Sequence, residues 1–93
     1  MILFWDIFIN STTSWAMSSI HDPRYKKLIK ELIKIRELKN ITQVELATTL
    51  KKPQSYIAKV ENLDRRIDVL ELHEWLSALD KSISDFLAYC FEQ

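Results

Sequence analysis

Apolar residues recur at helical spacing from Tyr25 to the end of this chain. Tyr25, Leu28, Ile29, Leu32, Ile35 and Leu38 follow one another at steps that predict an amphipathic helix running to about Lys39. Asp22-Pro23 ahead of it offers an N-cap and then a proline whose missing N–H costs nothing at a first helical position. Asn40 behind it is one of the few non-glycine residues that tolerate a left-handed C-cap. Leu46, Ala47 and Leu50 mark a short second helix, which Thr42 and Glu45 start as a capping box. After a turn of about three residues, Pro53 is expected at the first position of a third helix, with Ile57 and Val60 as its buried pair. Asp68 with Glu71 caps a fourth helix built on Leu70, Leu72, Trp75, Leu76 and Leu79. Ser82 with Asp85 starts a fifth, where Ile83, Phe86, Leu87, Cys90 and Phe91 are apolar. The pattern predicts an all-α domain of five helices joined by short turns.

The first 21 residues stand apart as an extension and linker, leaving residues 22–93 as the folded domain. Residues 1–9 are nearly all apolar, broken by Asp6, yet too few to span a bilayer. They lack the basic start of a secretory signal, and residues 10–19 are rich in Ser and Thr. Met17 opens a more ordinary protein start, so residues 1–16 are expected to be dispensable for the fold. The rival reading is a strand or helix that buries its Phe and Trp side chains against a partner subunit.

Composition narrows the chemistry. Ninety-three residues make one domain, and the absence of glycine disfavours hairpins and phosphate-cradling loops. One cysteine excludes an internal disulfide, and Cys90 with His21 and His73 falls short of a four-ligand zinc set, so no metal or cofactor is expected. A reducing cytoplasm suits such a chain. The net charge of zero conceals an asymmetry: residues 23–66 carry +7, residues 67–93 carry −5 and residues 1–22 carry −2. The basic excess lies with the second and third helices.

The outer face of the third helix shows Gln54, Ser55, Tyr56 and Lys59. An amide, a hydroxyl and an ammonium near a helix start are groups a DNA major groove can receive. Gln54 offers donor and acceptor together, matching adenine N6 and N7, while Lys59 can donate to guanine O6 and N7. Solvated polar filler is the competing reading for Gln54, Ser55 and Lys59. Tyr56 is read equally as packing and as contact. Thr42, Gln43, Lys51, Lys52, Arg65 and Arg66 can flank the groove and reach phosphates. Lys26, Lys27, Lys30 and Lys34 on the first helix read as a solvated surface. Catalysis finds little support: Glu71, His73 and Glu74 share a helix without a metal-ligand motif, and no serine has a nucleophile-elbow context. Trp75 reads as core or dimer packing.

The ordered set Ile41-Thr-Gln-x-Glu-Leu-Ala, Leu50, Pro53-Gln-Ser-Tyr-Ile, Lys59-Val-Glu-Asn and Arg65-Arg66 resembles the helix-turn-helix family of phage repressors and Cro proteins, the xenobiotic-response-element (XRE) family. The resemblance extends over roughly residues 25–87. It implies a five-helix, lambda-repressor-like domain whose third helix enters the major groove. It places Gln54, Ser55 and Lys59 where the family contacts base edges and Gln43 where a side chain meets a phosphate. It also implies a structural ion pair between Arg36 and Glu61. Where the family often has glycine after the second and third helices, this chain has Lys51 and Leu63. A left-handed lysine costs about 1–2 kcal/mol, so the turn is expected to differ in detail.

The function expected from these readings is a DNA-binding transcriptional regulator, a repressor, acting in a bacterial or phage setting on nucleoid DNA. One domain this small reads only a few base pairs, so a homodimer on a palindromic operator is expected, with the fifth helix and the tail through Phe91 as dimer surface. The alternative is an antitoxin-like or phage accessory protein whose main partner is a toxin-like protein. No membrane partner is expected.

Overall fold

The computed structural model describes residues 19–91. A 3-10 turn, Ser19–His21, leads into five α-helices: α1 (Pro23–Leu38), α2 (Gln43–Leu50), α3 (Gln54–Glu61), α4 (Val69–Ala78) and α5 (Ile83–Phe91). No helix among the described residues is long and apolar enough to cross a membrane. The expectations about residues 1–16 lie outside the described residues.

The helix starts follow the cap residues. Asp22 Oδ1 accepts from the Arg24 backbone N–H at 2.8 Å. Thr42 and Glu45 form the reciprocal box that starts α2, at 3.0 and 2.9 Å, and Asp68 and Glu71 repeat it at α4, at 2.8 and 3.0 Å. Each box satisfies two backbone donors that the helix itself leaves free.

The helix ends are less expected in a chain without glycine. Asn40, Lys51, Leu63 and Asp80 all adopt positive φ, between 57° and 64°. Each sits in the same paired closure. After α2, for example, Lys52 N–H reaches the Ala47 carbonyl at 3.0 Å and Lys51 N–H reaches Thr48 at 3.2 Å. These are Schellman bonds, and they hold the left-handed residue against its steric cost. The turn after α2 therefore keeps the left-handed conformation with a lysine in it, φ 57° and ψ 43°, rather than changing shape.

Three expectations need correction. Pro53 is the N-cap of α3 and not its first residue: its ψ of 150° is extended, while its carbonyl already accepts from Tyr56 N–H at 3.0 Å. Leu38 and Leu70 are each 74% exposed rather than core, because they lie on the outer sides of the last turn of α1 and the first turn of α4.

The core gathers Leu32 of α1, Leu46 of α2, Ile57 and Val60 of α3, and Trp75 and Leu76 of α4 with Leu79 just beyond it, all essentially fully buried. α2 and α3 pack most closely on each other, α4 lies behind α2, and α5 packs on α1 and α4. Ile57 and Val60 have no exposed surface, and emptying the Ile57 site to Ala would cost about 2–5 kcal/mol. Burying them fixes the roll of α3 and turns Gln54, Ser55 and Lys59 outward.

Candidate nucleic-acid interface

Gln54 and Ser55 are the first two residues of α3, and both are exposed, as is Lys59 one turn further on. Pro53 supplies no side-chain cap, so the first N–H groups of α3 have no acceptor from the N-cap side chain. Lys51 and Lys52, both exposed, stand in the turn just before.

Gln54 does not stand alone. Its amide nitrogen donates to the Gln43 carbonyl oxygen at 2.8 Å, and the Gln43 amide nitrogen donates to Glu61 Oε1, also at 2.8 Å. Glu61 is held in turn by Arg36, whose Nε and Nη2 donate to the two carboxylate oxygens at 2.7 and 3.0 Å. Arg36 Nη1 donates to the Ile41 carbonyl at 2.7 Å. The Arg36 and Glu61 side chains are 10% and 5% exposed. An unbroken chain of hydrogen bonds thus links the buried ion pair to the first residue of α3. Thr42 is exposed, with its hydroxyl oxygen accepting in the α2 capping box.

The second cluster lies on the other side of α3. Arg65 pairs with Glu71, Nη2 to Oε2 at 3.1 Å, and its guanidinium lies 4.7 Å from the Tyr56 ring centroid. The Lys52 ammonium approaches the same ring at 5.6 Å. Arg66 is exposed and lies 5.8 Å from the ring of Tyr25, whose hydroxyl accepts from Ile67 N–H at 3.1 Å.

Of the two readings the sequence left open for Tyr56, packing and contact, the fold shows the packing. Its hydroxyl accepts from the Trp75 indole N–H at 3.1 Å and donates to Glu71 Oε2 at 3.2 Å, and its ring meets Trp75 edge-on. Burial pushes the phenol's pKa up, opposed by the bond from Trp75. Both polar lone-pair and proton are engaged with α4, so what Tyr56 offers outward is a ring face carrying cations. Sequence reasoning located Glu71 only as a cap. Its second role, holding Arg65 and Tyr56, depends on contacts between elements that no local motif encodes.

Among the described residues no cluster of His, Cys, Asp and Glu could hold a metal ion. Cys90 is free and buried within the core, and burial raises its thiol pKa.

With this geometry in view, the comparisons with known proteins agree. The helix-turn-helix family model matches residues 32–86. A solved structure of an XRE-family like protein from Pseudomonas syringae pv. tomato str. DC3000 is 36% identical, with a TM-score of 0.74, covering 82% of this chain and 93% of that one. No curated protein sequence matches the chain.

Proposed function

The chain belongs to the XRE family of helix-turn-helix DNA-binding regulators, and from that premise we propose that it is a repressor that binds a palindromic operator as a homodimer. The observation that carries this reading is the outward face of α3, where Gln54, Ser55 and Lys59 are exposed, with exposed Lys51 and Lys52 in the turn just before it. Gln54 and Lys59 read base edges, with Ser55 beside them. Lys51, Lys52 and Arg66 meet phosphates, joined at the start of α2 by Thr42 and the backbone N–H of Gln43, whose side chain is tied to Glu61 and Gln54, and by the uncapped N–H groups of α3. Arg65 reaches a phosphate by leaving Glu71. Tyr56 supports Arg65 and Lys52 from behind instead of touching a base.

Half-sites one helical turn apart suit two copies of α3 related by a twofold axis. The apolar side chains left exposed near α5 are Tyr89 and Phe91, with Leu38 at the end of α1; beside them, a groove between α1 and α5 mixes Leu38, Phe86 and Tyr89 with charged side chains such as Lys34 and Asp85, and this face is the proposed seat of the second copy. Exposed Val69 and Leu70 at the start of α4 favour a second reading, in which a toxin-like protein is the main partner.

Selection of bound fragments from random duplex DNA tests the first reading. Recovery of one inverted-repeat sequence, bound by a species of twice the chain mass, is the expected result. Retention of no sequence in preference to another would remove it, and co-purification with a second small protein would favour the alternative.

A further inference from the structure

We infer that Glu61, which touches no base, decides which base Gln54 reads by fixing the direction of the hydrogen bonds between them. The inference rests on the DNA-binding reading above and supplies the origin of its base preference.

A carboxylate can only accept hydrogen bonds. Glu61 therefore obliges the Gln43 side chain to turn its NH2 group inward, at 2.8 Å, and its carbonyl outward. That carbonyl can only accept, so Gln54 must give it one N–H, again at 2.8 Å. Gln54 is left with one N–H and its carbonyl oxygen for the groove. One donor beside one acceptor complements adenine, which shows N7 and the N6 amino group; guanine shows two acceptors, N7 and O6. Were the chain of bonds reversed, Gln54 would spend its carbonyl on Gln43 and face the groove with two donors, the set guanine takes.

Arg36 keeps the anchor from turning. It occupies both carboxylate oxygens of Glu61 and is itself tied to the Ile41 carbonyl at 2.7 Å. At 10% and 5% exposure the pair is shielded from water that could replace either bond. Glu61 is thus a positioning residue: its charge, two side chains away from the DNA, sets the donor and acceptor order at the surface.

The test compares base preference at each operator position for the wild type, Glu61→Gln and Gln43→Met, by selection from random duplex DNA. The wild type is expected to choose adenine at one position in each half-site. Gln43→Met, which leaves Arg36 and Glu61 paired, should lower that preference about tenfold while the positions read by Ser55 and Lys59 keep theirs. Glu61→Gln removes the acceptor-only end and should raise guanine at the same position. Unchanged preference in Gln43→Met, or a loss of affinity spread evenly over all positions, overturns the inference. Where Glu61→Gln fails to fold by circular dichroism, Gln43→Met carries the test alone.

A readout without DNA separates this inference from the one it rests on. In the free protein, side-chain amide NMR signals of Gln43 and Gln54 should exchange slowly, and the Gln54 signal should move in Gln43→Met. Slow signals in a protein that selects no DNA would remove the proposed function and leave the bond order standing. Rapidly exchanging, unshifted signals would overturn the bond order itself.

Discussion

The Trp75 indole N–H donates to the Tyr56 hydroxyl across 3.1 Å, joining the centre of α4 to α3. Trp75 is almost wholly buried, so its N–H has no access to water if the hydroxyl is removed. Tyr56→Phe is expected to destabilise the domain by about 1–3 kcal/mol, the cost of an unsatisfied buried donor. Thermal unfolding followed by far-ultraviolet circular dichroism measures it; an unchanged midpoint would show that Trp75 finds another acceptor.

The Arg36 and Glu61 pair makes a stronger demand. Removing one partner leaves a carboxylate that is 5% exposed without its counter-charge. Arg36→Met is expected to cost about 3–5 kcal/mol, and the double variant Arg36→Met/Glu61→Met less than the single one. Urea unfolding of the wild type, Arg36→Met, Glu61→Met and the double variant gives the comparison. A double variant as unstable as the sum of both singles would contradict the argument.

Asp80 is exposed and held at φ 57° after α4. Glycine there relieves the left-handed strain but adds freedom to the unfolded chain, so Asp80→Gly should gain roughly 0.5–1 kcal/mol. That corresponds to a rise of about 2–8 °C in Tm for a domain of this size. A lower Tm would mean that the Asp80 side chain contributes more than its backbone costs.

Acid should loosen the helix caps. Side-chain and backbone hydrogen bonds from Arg24 hold the Asp22 pKa down to about 2. Burial works upward on Glu71, but the Asp68 N–H and Arg65 bring its carboxyl below the usual range. Both folded values lie below the unfolded ones, so their contribution is present above roughly pH 4 and fades as the pH falls through the folded values. Tm is expected to hold from pH 7 to 5 and to drop below about pH 4. In Asp22→Asn/Glu71→Gln the drop should be shallower, and parallel curves would count against these two groups.

Much of this molecule was legible in its sequence because the information was local. Thr42 with Glu45, and Asp68 with Glu71, announce helix starts within four residues, and each forms its box in the fold. Asn40 announces a helix end through its own backbone tolerance. Lys51 and Leu63 do not, since nothing in either side chain favours positive φ; the flanking Schellman bonds impose it. Leu38 and Leu70 fit the helical period but lie where no other described element covers them, which period alone cannot reveal. At the candidate interface, residue types on α3 were readable. The engagement of Tyr56 with Trp75 and Glu71, and the link from Gln54 back to Glu61, arise from separate elements meeting in space.

The central claim is that the outer face of α3 lies against duplex bases with cations from the neighbouring turns on the backbone. Fluorescence anisotropy of a selected operator duplex, titrated across a range of salt concentrations, measures it most directly. The logarithm of affinity should fall linearly with the logarithm of salt. Arg66→Ala should flatten that slope by about one while weakening all sequences alike, and Gln54→Ala should keep the slope and lose the distinction between operator and scrambled duplex. Binding that is indifferent to salt, or a Gln54→Ala protein that still tells the two duplexes apart as the wild type does, would contradict the account.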